Sequence, residues 1–184
     1  FLPALSAQFV NWDDLLMFQY NPSYRGLDPD RIVWMFTSSH MGHYAPLTWV
    51  THALDFMFWR MNPRGYHLTN NLFHAANAAL VFLLAQQLLV AALSNARKVG
   101  GTSFLLGASM AALLFAVHPL RVESVAWITE RRDVVSLFFL LLSGLSYLRY
   151  CQGGLARRKA YLLCLAWLAC SLLSKGWAIT FPVV

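Results

Sequence analysis

Two adjacent carboxylates, Asp13 and Asp14, close the run Phe9-Val10-Asn11-Trp12-Asp13-Asp14 in a chain that carries few charges. Neighbouring carboxylates in a partly dehydrated site disfavour joint ionisation, so one of the pair can act as a base toward an acceptor hydroxyl. The same residues also suit a helix start, where they would cap the N-terminus, and spacing alone leaves both readings open. Further along, His118-Pro119-Leu120-Arg121-Val122-Glu123 ends an apolar run. His118 and Glu123 can orient a polar head group or help hold a divalent cation; they equally fit an interfacial histidine beside a solvated glutamate. In Glu130-Arg131-Arg132-Asp133 the guanidinium forks of Arg131 and Arg132 match phosphate oxygens, and the flanking acids offer a local ion-pair cluster instead. Lys175 interrupts an apolar region, where a charge must pair or snorkel, and pairing with an anionic head group is the functional choice. A base, cations for a phosphate leaving group and a groove open to lipid together describe a transferase acting on an amphipathic lipid.

The elements that would position these groups are membrane elements. Of the 184 residues 58% are hydrophobic, 15% aromatic and 12% charged, about half the charge of an ordinary soluble domain. An all-α polytopic membrane protein is expected. Because the sequence opens on Phe1 and stops at Val184 inside an apolar run, it reads as part of a longer chain. The net charge of +6 comes from basic residues dispersed at the ends of apolar runs, with no basic helix face. That pattern suits membrane orientation rather than nucleic acid. Cys151, Cys164 and Cys170 form no CxxC pair and have no histidine at ligand spacing, which argues against a disulfide framework or a zinc site.

Residues 1–8 read as the end of a first span. Residues 9–65 read as an outer loop whose apolar runs are too short to cross a bilayer and whose prolines mark interfacial helices near Asp30 to Ser38 and Pro46 to Arg60. Membrane spans are expected at 66–93, 102–118, 134–150 and 160–174, with 177–184 starting another. The loops 94–101 and 149–159 hold Arg97, Lys98, Arg149, Arg157, Arg158 and Lys159 and no acid, which makes them cytoplasmic by the positive-inside rule. All eight acidic residues then fall on the opposite face, with His118, Arg131, Arg132 and Lys175. Polar residues at one face rather than the midplane speak against a transporter. His67, Asn70, Asn71, His74 and Asn77, spaced by three or four, form a stripe suited to helix-helix hydrogen bonding.

In this order, Asn11-Trp12-Asp13-Asp14, Pro46-Leu47-Thr48, Asn62-Pro63-Arg64-Gly65-Tyr66-His67-Leu68-Thr69-Asn70, Phe115 to Ala126 and Ser174-Lys175 resemble the membrane part of the transmembrane and tetratricopeptide-repeat O-mannosyltransferase family and its bacterial relatives. The resemblance implies a GT-C-like transmembrane helix bundle. It also implies inverting transfer of a sugar from a polyprenyl-phosphate carrier to a protein or other hydroxyl acceptor on the extracytoplasmic face, in a bacterium the outer side of the inner membrane. By position Asp13 or Asp14 matches the catalytic carboxylate; His118, Glu123, Arg131 or Arg132, and Lys175 match the substrate-binding positions. Many relatives have an acid directly after that lysine, where Gly176 stands here. A repeat domain is expected downstream. The alternative is a non-catalytic membrane subunit of the same fold, packed in a larger membrane complex.

Overall fold

The computed structural model describes residues 1–93, 101–153 and 157–183. The basic stretch 94–100, residues 154–156 of the second basic loop, and Val184 lie outside them, so the loop charges that set the expected orientation fall partly outside the described residues. Within them the secondary structure is helical, without strands: α1 (Pro29–Thr37), α2 (Pro46–Trp59), α3 (Pro63–Leu93), α4 (Gly101–Val117), α5 (Arg121–Ala126), α6 (Arg131–Gln152) and α7 (Arg157–Ser174). Two 3₁₀ turns, Leu2–Ser6 and Gly176–Val183, and a π turn, Leu15–Gln19, complete the described secondary structure. Helices α3 and α6 are long and apolar enough to cross a membrane. At 1.5 Å per residue α3 is about 46 Å long, so roughly 15 Å of it exceeds a hydrocarbon core of about 30 Å.

Local chemistry fixes where the helices start. Asp28 accepts the backbone N–H of Arg31 at 3.3 Å and Pro29 opens α1. Pro46 opens α2, where a missing N–H costs nothing. The Asn62 carboxamide accepts from the Arg64 N–H at 3.1 Å and Pro63 follows it, so α3 begins three residues before the run that hydropathy marks. Helix α6 likewise starts at Arg131 rather than 134, with Glu130 in the N-cap position. Hydropathy underestimates this helix because its first turn consists of charges that are neutralised by partners. Within residues 1–8 the short 3₁₀ turn Leu2–Ser6 packs on α3.

The polar stripe of α3 joins it to its neighbours by supplying donors to backbone carbonyls. Asn70 Nδ2 donates to Val125 O at 3.1 Å, Asn77 Nδ2 to Val134 O at 2.9 Å and Asn71 Nδ2 to Phe1 O at 3.4 Å, while a His74 ring nitrogen lies 3.0 Å from Ala116 O. Two of these carbonyls, Ala116 O and Val125 O, sit at the C-terminal ends of α4 and α5, where intrahelical partners run out and a buried unpaired group costs about 1–3 kcal/mol. Helices α6 and α7 approach through small residues: the Ser136 and Ser171 hydroxyls lie 2.9 Å apart, and Ser143 donates to Cys164 O at 2.9 Å. Above this bundle, Phe18, Tyr24, Met35, Trp49, Ala53, Tyr66 and Ile128 build an aromatic core that holds the first 60 residues on the start of α3.

Candidate active site

The carboxylate pair is divided by the fold. Both residues lie in the first helical turn leading into Leu15–Gln19, where Arg25 donates to Phe18 O at 3.0 Å and Gln19 O at 2.7 Å and so satisfies carbonyls of the widened turn. Asp14 is wholly buried. Its Oδ2 accepts the Val10 N–H at 2.9 Å, and its Oδ1 accepts both the N–H of Thr129 at 3.2 Å and the Thr129 hydroxyl at 2.5 Å. Asp14 therefore ties residues 10–14 to the segment that delivers Arg131 and Arg132. Asp13 is only half-buried, and no described residue forms a hydrogen bond or ion pair with its carboxylate.

Arg131 and Arg132 also part company. Arg131 has no exposed surface. Its guanidinium forms an ion pair with Asp55 at 2.6 Å, off hydrogen-bond alignment, and donates to Asn70 Oδ1 at 2.6 Å and Tyr66 O at 2.7 Å, lying 5.6 Å over the Tyr66 ring. Much of the Asn62-to-Asn70 motif exists to build this socket. Tyr66 donates through its hydroxyl to Arg60 O at 3.0 Å, Thr69 donates to Asp55 at 2.7 Å, and Gly65 makes room for Trp59, whose ring would lie 2.1 Å from any added Cβ.

Arg132 turns instead toward a cavity of about 320 Å³, lined also by His43, Tyr44, Ser174, Lys175 and Trp177. The Arg132 Nε reaches Glu130 Oε2 at 3.3 Å, its Nη2 pairs with Oε1, and its Nη1 is buried without a partner. Lys175 Nζ bridges Glu130 Oε2 at 3.0 Å and Asp133, and lies 4.1 Å from the Trp177 ring centre. Burial alone would push the Glu130 carboxyl up; the hydrogen bonds and charges of Arg132 and Lys175 outweigh it and hold it below its ordinary 4.5. Of the two arginines named as candidate phosphate ligands, Arg131 is sealed inside the fold and Arg132 stands at a cavity wall, where it also makes the ion pair with Glu130 that the alternative reading offered.

His43 reaches this cavity on a turn that sequence reading did not single out. His40 and His43 exchange backbone hydrogen bonds at 3.1 and 3.0 Å, and the two residues between them, Met41 and Gly42, have φ of 50° and 79°. This is the left-handed pair that a tight two-residue turn requires. A His40 ring nitrogen, 3.2 Å from Leu16 O, ties the turn to the Asp13-Asp14 segment. Burial, then the Arg132 charge, lowers the His43 imidazole below its ordinary 6.5, against the opposing pull of the Glu130 carboxylate. The His-x-Gly-His pattern is the only sequence signal for this turn.

His118 and Glu123 are exposed, and neither side chain bonds to the Arg132–Lys175 cluster among the described residues. His118 Nδ1 accepts the Leu120 N–H at 3.2 Å, which shapes the bend before α5; the same motif gives Ser124, whose hydroxyl donates to Asp133 at 3.0 Å. Among the described residues no three His, Cys, Asp or Glu side chains gather as metal ligands.

No family model matches the chain, and no solved structure is detectably similar. Curated proteins are. It is 34% identical over 157 residues to Protein O-mannosyl-transferase tmtc2 of Xenopus laevis, 33% over 158 residues to Protein O-mannosyl-transferase Tmtc1 of Drosophila melanogaster, and 34% over 157 residues to Protein O-mannosyl-transferase TMTC2 of Homo sapiens. Each match takes in 82% of this chain and 17% of the relative, so the chain corresponds to less than a fifth of those proteins. The residues that divide the carboxylates, seal Arg131 and line the cavity thus belong to a chain that is a member of the TMTC family, whose curated relatives are named protein O-mannosyl-transferases.

Proposed function

We propose that this chain is the membrane-embedded catalytic part of a glycosyltransferase that moves a mannosyl group from a polyprenyl-phosphate donor to a protein hydroxyl on the extracytoplasmic face. The reading is supported by a cavity walled by Arg132 and Lys175, and by Asp13, half-buried on the segment that Asp14 ties to Thr129 just before Arg131 and Arg132, in a chain whose relatives bear the mannosyltransferase name. In this reading the donor phosphate lies at Arg132 and Lys175 and its hydrocarbon tail between helices. The acceptor hydroxyl attacks the anomeric carbon on the face opposite the phosphate. The bond from that carbon to the phosphate oxygen breaks with its electron pair on the oxygen, and Asp13 takes the hydroxyl proton. Arg132 and Lys175 stabilise the negative charge that grows on the departing phosphate, the kind of preorganised stabilisation that usually contributes most to such steps. Asp14 and Arg131 hold the frame. His118 and Glu123 are assigned no step.

Two features support a polytopic, GT-C-like arrangement: two helices of membrane-crossing length and composition, and apolar α4 beside them. Acid-free basic loops support an extracytoplasmic active face, which in a bacterium is the periplasmic side of the inner membrane. The test is transfer by the full-length protein in nanodiscs, from polyprenyl-phosphate mannose to a Ser/Thr peptide, read as mannosyl-peptide by mass spectrometry. Product formation is expected. Donor binding without transfer under any acceptor would favour the non-catalytic subunit instead.

A further inference from the structure

Arg132 lines the cavity and is nine-tenths buried, yet one nitrogen of its fork, Nη1, is buried without a partner. The other edge, Nε and Nη2, is covered by the two oxygens of Glu130, one of which Lys175 also holds at 3.0 Å. A carboxylate that meets a guanidinium fork and an ammonium together occupies the place that two phosphate oxygens would take. Without an internal anion, a buried arginine beside a lysine would be strongly unfavourable in the empty protein. With a phosphate present, the same carboxylate is a like charge in the same site.

We propose that Glu130 is a built-in counterion that competes with the donor phosphate, releasing Arg132 and Lys175 when the phosphate enters and reclaiming them to expel the phosphate product. The inference rests on the phosphate reading of the cavity given above. Asp133 stays on Lys175 from the far side, backed by the Ser124 hydroxyl, and keeps the lysine in place when Glu130 lets go. Glu130 precedes α6 and makes no contact of its own with the fold beyond these two cations among its side-chain hydrogen bonds, so it can swing without unpacking a helix. The device weakens ground-state and product binding while leaving the cations preset, which favours turnover over retention.

The experiment titrates polyprenyl phosphate into nanodiscs that hold the full-length protein, with the uncharged polyprenol as the tail control and inorganic phosphate as the headgroup control. Glu130→Gln is expected to bind polyprenyl phosphate about tenfold more tightly than wild type, and Glu130→Asp, which keeps the charge, to bind within about twofold of wild type. Arg132→Gln is expected to abolish the preference for phosphate over polyprenol. A thermal-shift readout on each variant counts only folded protein. If Arg132→Gln loses binding while Glu130→Gln binds no better than wild type, the counterion proposal is overturned and the phosphate site stands. If neither wild type nor Glu130→Gln prefers polyprenyl phosphate to polyprenol, both fall. An equal gain for inorganic phosphate supports the counterion and identifies the headgroup as sufficient.

Discussion

Asp14 and Thr129, 115 residues apart, are joined twice: the backbone N–H and the hydroxyl of Thr129 both donate to Asp14 Oδ1, at 3.2 and 2.5 Å. Removing the Asp14 carboxylate leaves the two buried donors of Thr129 without an acceptor, each costing about 1–3 kcal/mol. Asp14→Ala should therefore lower the thermal midpoint in detergent by several degrees, with activity falling in proportion to folded protein. Asp13→Asn should leave the midpoint within about a degree, since surface-accessible changes of this kind cost little. Equal destabilisation by the two variants would refute the division of labour within the pair.

A buried ion pair is best tested by breaking it from one side. Asp55→Asn removes the partner that lies 2.6 Å from the fully buried Arg131, and a stranded buried charge costs about 3–5 kcal/mol. Strong loss of stability is expected, with partial recovery in Asp55→Asn combined with Arg131→Met, which removes the charge left behind. Urea or thermal unfolding of the single and double variants provides the comparison; a double variant less stable than Asp55→Asn alone would show that Arg131 is held by Asn70 and Tyr66 rather than by Asp55.

Gly65→Ala places a methyl group 2.1 Å from the Trp59 ring. The indole has to move, and with it the α2-to-α3 corner that sets the Arg131 socket. Overpacking of this kind costs about 1–3 kcal/mol. The variant should lose stability, whereas Gly65→Ala with Trp59→Leu should regain most of it, as a thermal melt of both would report.

Glu130 supplies a pH signature. Its folded-state carboxyl is held below its ordinary 4.5 by Arg132 and Lys175 despite burial, so its stabilising contribution is fully present above that value and is lost as pH falls below it. The thermal midpoint should be insensitive to this group from about pH 5 to 8 and decline in acid more steeply for wild type than for Glu130→Gln. Parallel acid limbs in the two proteins would show that the clasp contributes nothing to stability.

Local signals were legible in the sequence and distant pairings were not. Asp28-Pro29, Pro46 and Asn62-Pro63 mark helix starts because the cap and the proline act on backbone groups within three residues. In the α3 stripe, Asn70, His74 and Asn77 bond to neighbouring helices as a 3.6-residue period on one face suggests, whereas the His67 ring is buried without a hydrogen-bond partner among the described residues. What could not be read is which of two adjacent residues faces which way. Asp13 and Asp14 are chemically alike, and it is the partners of Asp14, the distant Thr129 above all, that separate them. Arg131 and Arg132 are split by Asp55, 76 positions earlier, which carries no local mark of its role. The hydropathy limit of α6 fell short because a transfer scale counts Arg131 as exposed, whereas its partners bury it, and that of α3 fell short because its start is set by the Asn62 cap and Pro63 rather than by apolar residues. The His40–His43 turn was missed because its two positive φ values follow from Gly42 and a long-range anchor on Leu16 rather than from composition.

The most direct measurement of the proposed chemistry is single-turnover mannosyl transfer from polyprenyl-phosphate mannose to a Ser/Thr peptide by full-length wild-type and Asp13→Asn proteins in nanodiscs, with donor binding measured in the same samples. Loss of a general base costs about 10²- to 10⁴-fold. Transfer by Asp13→Asn should fall by that amount while donor binding and the thermal midpoint hold. Transfer at the wild-type rate in Asp13→Asn would contradict the assignment of Asp13 as the base.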